Sequence, residues 1–394
     1  MSELNKNRTG YKETKIGWIP EDWKYSELNH LGSFANGINK DKDDFGFGTP
    51  ILNLQDVFGK NMITRMPTGL VNATKSEIER YSLKIGDVIF VRSSVKPEGV
   101  GVTSVIIEDL PETVYSGFLI RFHPKKGLFD KTYLRYCFFQ FDFRKELLRK
   151  STISANTNIK KAALKSLGIP IPTLNEQQNI AEILSSWDKA IDLVSQQIDV
   201  KHKLKKGLMQ QLLTGKMRFS CFKEEWKVER LGNLFSERNE NDPSLDLLSI
   251  TGDEGVIPRD EVGRKDTSSN DKSNYKVIMP GDIGYNTMRM WQGRSAVSSL
   301  KGIVSPAYTI VTPRKNQDVV FYGYLFKLPQ IIHLFYRYSQ GLVSDTWSLK
   351  FPNFSQIKIR VPEYEEQRQI AKVFLQLDEE IRILQKLIAA FQKQ

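Results

Sequence analysis

Two stretches of this chain repeat one pattern: residues 169–181 read IPIPTLNEQQNIA, and residues 359–371 read IRVPEYEEQRQIA. In each stretch a run with apolar residues at alternate positions ends at a proline, and an acidic residue, a glutamine and an Ile-Ala pair follow. Acidic residues just after a proline are typical of the first turn of a helix. The repeat therefore predicts two equivalent long helices.

Beyond each helix start, apolar residues recur with alternating spacings of four and three, the pattern of a coiled-coil seam. The two seams keep the same register at an offset of 190 residues. We expect the helices to pair with each other within the chain. The alternative is that each helix packs only on its own globule. The predicted coiled-coil core is Ile180, Leu184, Trp187, Ile191, Val194, Ile198, Ile370, Phe374, Leu377, Ile381, Leu384 and Ile388.

A globule precedes each long helix, and both globules mix short β-rich runs with helical stretches, which predicts an α+β class. Residues 133–149 read as a helix, residues 304–311 as a strand, and residues 321–338 as a helix interrupted at Pro329. We predict an N-terminal arm at 1–17, a first globular domain at 18–172, a central helix at 173–215, a second globular domain at 216–361 and a C-terminal helix at 362–394.

The composition is that of a globular, basic protein. The 394 residues are 40% hydrophobic and carry a formal net charge of +11, with a sequence pI of about 9.3. Such an excess favours polyanions, chiefly nucleic acid, through phosphate neutralisation. The alternative is a protein that is basic without binding nucleic acid.

The two cysteines, Cys137 and Cys221, do not have metal-ligand spacing and indicate a reducing compartment. The polar residues 1–15 do not resemble a signal peptide, and about 18 consecutive apolar residues, enough to cross a membrane, occur nowhere. We expect a cytoplasmic protein without a membrane span.

Common enzyme signatures are absent from the sequence. It has no Gly-x-Gly-x-x-Gly, no phosphate-binding loop and no Asp/Asn-Pro-Pro-aromatic motif of amino-methyltransferases. Two acid-x-Lys triplets, at 22–24 and 225–227, have the spacing of one nuclease class. Each triplet centres on a tryptophan at a domain start, where a packing role is the alternative. We predict no catalytic and no metal-binding residues in this chain.

The two Pro/Glu-Gln helices behind divergent globules resemble the DNA-specificity subunit of type I restriction-modification systems. The resemblance covers essentially the whole chain and is most specific at residues 169–217 and 362–391. It implies a non-catalytic subunit in which an antiparallel intramolecular coiled coil separates two target-recognition domains. It also implies double-stranded DNA, two methyltransferase subunits and two restriction subunits as partners, with S-adenosylmethionine, ATP and Mg²⁺ bound by those subunits rather than by this chain.

The resemblance further implies that each domain reads one half of a bipartite DNA site. In the first domain we favour the turn at 92–96 and the polar segment at 154–161, with counterparts at 289–294 and 344–350. Arg and Lys can pair with guanine, Asn and Gln with adenine, and Ser with either. A solvated loop or a phosphate contact is the alternative for each residue. The candidate DNA-binding residues are Arg92, Ser93, Ser94, Lys96, Asn156, Asn158, Lys160, Lys161, Arg289, Gln292, Arg294, Ser344, Thr346 and Lys350.

Two other hypotheses remain at this point. One is an enzyme of unfamiliar type, which would act as a lone chain. The other is a stand-alone DNA-binding or scaffolding protein without a methyltransferase partner. Neither explains why the helices are the best-preserved part of the repeat.

Overall fold

The computed structural model describes residues 8–252, 255–263, 268–342 and 346–392. The chain divides into two compact units, Met1–Ala190 and Ile191–Gln394. Helices and predominantly antiparallel strands occur in both units, so the predicted α+β class is confirmed.

The first unit consists of many short strands and a few short helices before its long helix begins. Its strands are β1 (Tyr11–Thr14), β2 (Gly17–Pro20), β3 (Lys24–Glu27), β4 (Gly32–Asn36), β5 (Phe45–Leu52), β6 (Met62–Ile63), β7 (Leu70–Val71), β8 (Val88–Val91), β9 (Ser93–Ser94), β10 (Thr103–Ile106), β11 (Val114–Tyr115), β12 (Leu119–Pro124), β13 (Thr152–Ile153), β14 (Thr157–Asn158) and β15 (Gly168–Ile171). Its helices are α1 (Leu28–Leu31), α2 (Leu54–Val57), α3 (Lys75–Tyr81), α4 (Phe141–Arg149) and α5 (Lys161–Lys165). The long helix α6 (Leu174–Leu212) begins here and ends in the second unit.

The core of the first unit lies on both faces of a five-stranded sheet with the order β4-β12-β8-β10-β6. Its central strand β8 reads VIFV and is buried at every position. Because successive side chains of a strand point to opposite faces, Val88 and Phe90 pack in one apolar cluster and Ile89 and Val91 in another.

The helix predicted over residues 133–149 begins later than expected. The structure has two short 3₁₀ turns, Tyr133–Arg135 and Cys137–Phe139, and the α-helix starts only at Phe141. Gln140 has extended backbone angles (φ −56°, ψ 137°), which interrupt the helical hydrogen bonds. The buried aromatic and aliphatic residues of 133–138 fill the core from these turns.

The second unit repeats the mixture of strands and helices. Its strands are β16 (Lys227–Arg230), β17 (Phe235–Glu237), β18 (Leu248–Ile250), β19 (Val256–Pro258), β20 (Lys276–Ile278), β21 (Ile283–Asn286), β22 (Ser295–Val297), β23 (Gly302–Val304), β24 (Tyr308–Pro313) and β25 (Lys358–Val361). Its helices are α7 (Leu231–Leu234), α8 (Val319–Leu325), α9 (Pro329–Tyr338), α10 (Phe351–Phe354) and α11 (Tyr364–Phe391).

Prolines shape two connections of this unit. Pro329 takes the first position of α9, so the predicted interruption of helix 321–338 is confirmed. The single strand predicted over 304–311 was wrong, because β23 ends at Val304 and β24 begins at Tyr308. Pro306, which has no N–H to donate to a ladder, lies in the turn that the bond from Tyr308 N to Ser305 O closes at 3.0 Å.

Within the second unit, the end of α6 and the helix α11 run antiparallel, as predicted. Lys201 forms an ion pair with Glu380 at 2.6 Å, and the later residue Lys205 pairs with the earlier residue Asp378. Leu212 and Leu213 at the end of α6 share a core with Phe374 of α11 and with the globule. The helix pair and the second globule are therefore one packed body.

Candidate nucleic-acid interface

In the first unit the fold brings together the two polar segments that the sequence singled out. Strand β9 pairs with β14, so that Ser94 lies opposite Thr157 and Ser93 opposite Asn158. Ile159 N also donates to Arg92 O at 3.0 Å. Residues 92–96 and 154–161, which are some 60 positions apart in the chain, thus form one continuous surface.

The side chains on this surface differ in exposure and in the hydrogen bonds that they make. Arg92 is half-buried and donates from Nη1 to Gly117 O at 3.2 Å, so its guanidinium holds the loop. Asn158 Nδ2 donates to Asn156 O at 3.0 Å and closes the tip of the β13–β14 hairpin. Lys96, Asn156 and Lys160 are exposed, whereas Ser93, Ser94, Asn158 and Lys161 are half-buried.

A small, largely apolar cavity of about 430 Å³ opens between these segments. It is lined by the predicted residues Ser93, Ser94, Lys96 and Asn156, together with Leu54, Phe58, Val95, Glu98, Gly99 and Phe118. Val95 and Phe118 are more than half exposed, at 82% and 60%. Exposed apolar side chains beside an asparagine and a lysine suit contacts with base edges and with the methyl group of thymine.

In the second unit the corresponding loop, residues 286–294, leaves β21 and returns to β22. Asn286 N donates to Arg294 O at 3.0 Å, and Gly293 adopts a left-handed conformation (φ +77°). Met290 in the middle of the loop is buried. The loop is consequently anchored at both ends and at its centre.

A larger polar cavity of about 940 Å³ adjoins this loop. Two predicted residues, Arg289 and Arg294, lie in its wall. Several polar residues that sequence reasoning missed lie there too, namely Ser249, Thr251, Arg259, Glu261 and Asn286. Most of these come from strands β18 and β19 and the turn after them, which no motif or repeat in the sequence marked.

The remaining predicted residues of the second unit lie around the same loop. Gln292, Thr346 and Lys350 are exposed, and Ser344 falls outside the described residues. Leu349 N donates to Thr287 O at 2.8 Å, which matches the bond from Ile159 to Arg92 in the first unit. By this register Thr287, rather than Arg289, occupies the position of Arg92, because the two loops differ in length.

The long helices are attached to the globules by hydrogen bonds that the two units share. In the first unit Asp188 accepts from Tyr136 Oη at 2.8 Å, from Arg135 at 3.0 Å and from Asn61 at 3.1 Å. In the second unit Asp378 accepts from Tyr324 Oη at 2.6 Å and from Lys205. Each tyrosine comes just over 50 residues before its aspartate, a signal that the sequence carried but that reasoning missed.

Both tyrosines are held in the donor form. Burial and then the hydrogen bond to Asp188 raise the pKa of Tyr136. Burial and then the hydrogen bond to Asp378 raise the pKa of Tyr324 in the same way. A neutral hydroxyl therefore faces a carboxylate at each junction, and such charge-assisted bonds are stronger than neutral ones.

The two acid-x-Lys triplets contribute their tryptophans to these helix starts. Trp23 Nε1 donates to Glu176 at 3.1 Å, and Trp226 Nε1 donates to Glu366 at 3.2 Å. No group of three or more His, Cys, Asp or Glu side chains in the described part of the chain is arranged to hold a metal ion. Both tryptophans thus attach the helix start to its domain.

The predicted coiled-coil residues differ in burial between the helices. On α11, Ile370, Phe374, Leu377 and Ile381 are buried, and Leu384 and Ile388 are half-buried. On α6, Ile180, Ile191, Val194 and Ile198 are half-buried, while Leu184 and Trp187 are exposed. The α11 residues are covered because Tyr324 and the rest of the second globule also pack on this face.

Comparison of the sequence with known protein families gives a match in both halves of the chain. A family model described as "Type I restriction modification DNA specificity domain" matches residues 20–201 and again residues 223–392. The chain belongs to this family. The double match coincides with the two copies of the globule and its helix.

Individual members of this family are also similar to the chain in sequence. The putative type I restriction enzyme MjaX specificity subunit of Methanocaldococcus jannaschii is 29% identical and covers 95% of this chain and 91% of its own. The EcoKI specificity subunit of Escherichia coli is 23% identical over 54% of this chain and 48% of its own.

Two solved structures share the fold. The S subunit of a type I restriction-modification system from M. genitalium superposes with a TM-score of 0.52 at 14% identity, over 94% of this chain and 93% of its own. A chain from a structure on complex assembly and conformational transition of a type I system gives 0.55 at 15% identity, over 95% and 96%. These likenesses establish the two-domain specificity-subunit fold.

Two further observations concern the chain as a whole. Among helices in the described ranges, none is both long and apolar enough to pass through a bilayer. Cys137 is buried and Cys221 exposed, and neither forms a disulfide.

Proposed function

We propose that this chain is the non-catalytic DNA-reading subunit of a type I restriction-modification enzyme, and that it recognises a bipartite site with one half read by each unit. The observation that carries the proposal is that each unit contains its own copy of the same kind of loop. In each unit a turn after a central strand is joined to a downstream polar segment by an equivalent backbone bond, from Ile159 to Arg92 and from Leu349 to Thr287. Two equivalent loops with different side chains suit two half-sites of different sequence.

The polar and basic residues on these loops are proposed to contact DNA. Lys96, Asn156 and Lys160 are the exposed candidates in the first unit, and Arg289, Gln292, Arg294, Thr346 and Lys350 in the second. The net charge of +11 supports a polyanionic ligand. Binding should therefore weaken steeply as salt concentration rises.

The helices are proposed to dock two methyltransferase subunits and then two restriction subunits. Apolar side chains outside the predicted seam support this docking, since Leu193, Val200 and Ile383 are 60%, 62% and 53% exposed. S-adenosylmethionine, ATP and Mg²⁺ would be bound by those partners. The two free cysteines, together with the proposed DNA ligand, further support a cytoplasmic location.

Single-molecule methylation sequencing tests the proposal. DNA would be compared from cells that express this chain with its cognate methyltransferase subunit and from cells that express either protein alone. We expect a bipartite motif with one methyladenine in each half only when both are present. A well-formed complex that adds no motif would point instead to the stand-alone DNA-binding or scaffolding role.

A further inference from the structure

Some arginines of the second unit pair with an acidic residue, whereas others, including Arg289 and Arg294, have no such pair in the part of the chain that the structure describes. Arg238 is bonded to Asp282 at 2.8 Å and Arg218 to Glu366 at 2.7 Å. By contrast, the guanidinium groups of Arg289 and Arg294 are exposed and make no hydrogen bond or ion pair with any residue that the structure describes. Within the described ranges, both guanidinium groups thus keep their donors for a ligand.

The loop that carries these two arginines is rigid. Lys327 Nζ donates to Gly293 O at 2.8 Å, and Trp291 Nε1 donates to Met288 O at 2.9 Å. The Trp291 ring also packs edge-on against Trp347, with centroids 5.3 Å apart. A backbone fixed in this way holds the attachment points of both arginine side chains in place, and base recognition depends on such fixed placement.

The Arg294 guanidinium lies beside a glycine across the cavity. A Cβ atom added to Gly252 would lie 2.0 Å from Arg294 Nη1. The guanidinium therefore lies directly against the backbone of residue 252, and a side chain at that position would displace it. The glycine thus leaves room for the Arg294 guanidinium in the cavity wall.

The cavity around Arg294 carries both signs of charge. Glu261 lines it together with Arg259, Arg289 and Arg294. The three arginines leave the wall positive overall, but a carboxylate repels a phosphodiester, so phosphate contacts alone do not account for this mixed wall. It fits the major-groove edge of a G·C pair, because guanine offers two acceptors to an arginine and cytosine offers an amino donor to a carboxylate.

We propose that the second unit reads a guanine in its half-site through Arg294, which donates two parallel hydrogen bonds to guanine O6 and N7. This inference rests on the proposed function and specifies the base that one unit selects. The first unit offers no arginine in this role, since its cavity is lined by no arginine and Arg92 is bonded to Gly117. A guanine read by arginine is therefore assigned to the half-site of the second unit.

The test uses R294K, which keeps the charge but lacks the planar fork of arginine. The full chain, assembled with its methyltransferase subunit, would be titrated with duplexes in which each base pair of the motif is changed in turn, at several salt concentrations. R230K, a change at an exposed arginine of the same unit outside the cavity, is the matched control.

We expect R294K to lose roughly 5- to 150-fold discrimination at one G·C position, the range of a good bidentate pair. Preference at all other positions and the salt dependence should stay as in R230K. Uniform weakening on all duplexes, or unchanged discrimination at every position, would overturn the proposal, because the first is the behaviour of a phosphate contact and the second that of a solvated side chain. Melting curves of both variants check that the fold is intact.

Failure of this inference is distinguishable from failure of the proposed function. A native complex without any sequence preference contradicts the function itself. A native complex with a bipartite motif, in which no guanine position responds to R294K, leaves the function standing and removes only the role of Arg294.

Discussion

The helix starts of the two units are alike, whereas their loops are not. Gln177 is buried, accepts from Asp130 N at 2.8 Å and donates to Pro172 O at 3.0 Å. Gln367 is buried, accepts from Asp318 N at 2.9 Å and donates to Pro362 O at 3.0 Å. The bonds from tryptophan to glutamate and from tyrosine to aspartate also occur in both units.

The candidate reading surfaces contrast with this agreement. One cavity has about 430 Å³ and a largely apolar wall, and the other has about 940 Å³ and is lined by arginines. We infer that the residues at the helix starts fix the geometry, whereas the loop residues determine selectivity. Contacts that fix the angle between helix and globule tolerate little change, because a buried polar group that loses its partner costs about 1–3 kcal/mol. Exposed loop residues carry no such penalty.

The largest effect is expected at the two coiled-coil seams, which differ in how deeply their residues are buried. Phe374 is fully buried against Tyr324, whereas Leu184 in the other seam is 37% exposed. F374A should therefore lower the free energy of unfolding of the second unit by about 3–5 kcal/mol. L184A should cost the first unit under about 1 kcal/mol. Urea unfolding of the full chain measures both. Equal losses would show that the helices are covered alike.

The next effect tests the two Trp–Glu junctions. Glu366 is buried and binds Arg218 as well as Trp226, while Glu176 binds Trp23 and the N-terminal Thr173 at the surface. E366A should cost about 2–3 kcal/mol, because it leaves a guanidinium and an indole N–H without their acceptor. E176A should cost about 1 kcal/mol, the usual cost of a lost helix cap. Thermal unfolding compares the two variants. The opposite order would contradict the geometry of these junctions.

The smallest effect concerns pH and the antiparallel helix pair. The hydrogen bond from Lys201 lowers the pKa of Glu380 below its usual range. A lowered folded-state pKa gives stability that is present above the unfolded value of about 4.3 and is lost as pH falls through the folded value. The difference in urea midpoint between the native chain and E380Q should therefore shrink from pH 7 to pH 3. A constant difference would mean that the ion pair contributes nothing.

Much of this architecture was predictable because it depends on short-range pattern. The spacing of apolar residues gave both long helices, and Pro329 gave the break between α8 and α9. The predicted helix at 133–149 began too early, because Gln140 adopts an extended conformation that no local signal marks. Apolar spacing alone does not distinguish a helix from a series of 3₁₀ turns that fill the same core.

The candidate site was predictable only in part. Residues 92–96 and 154–161 were chosen separately, and the strand pairing of Ser94 with Thr157 that unites them is a tertiary feature. The wall of the second cavity includes Arg259 and Glu261, which lie outside every repeated landmark. Long-range pairing decides which loops meet, and one sequence without its fold does not reveal it.

The claim that each unit reads its own half-site is tested most directly by methylation sequencing of two matched variants. S94A/N156A changes the first cavity and R289A/R294A changes the second, each in the full chain with its methyltransferase subunit. We predict that each variant relaxes the sequence of one half of the motif, a different half in each case, and leaves the other half intact. A variant that altered both halves, or two variants that altered the same half, would contradict the claim.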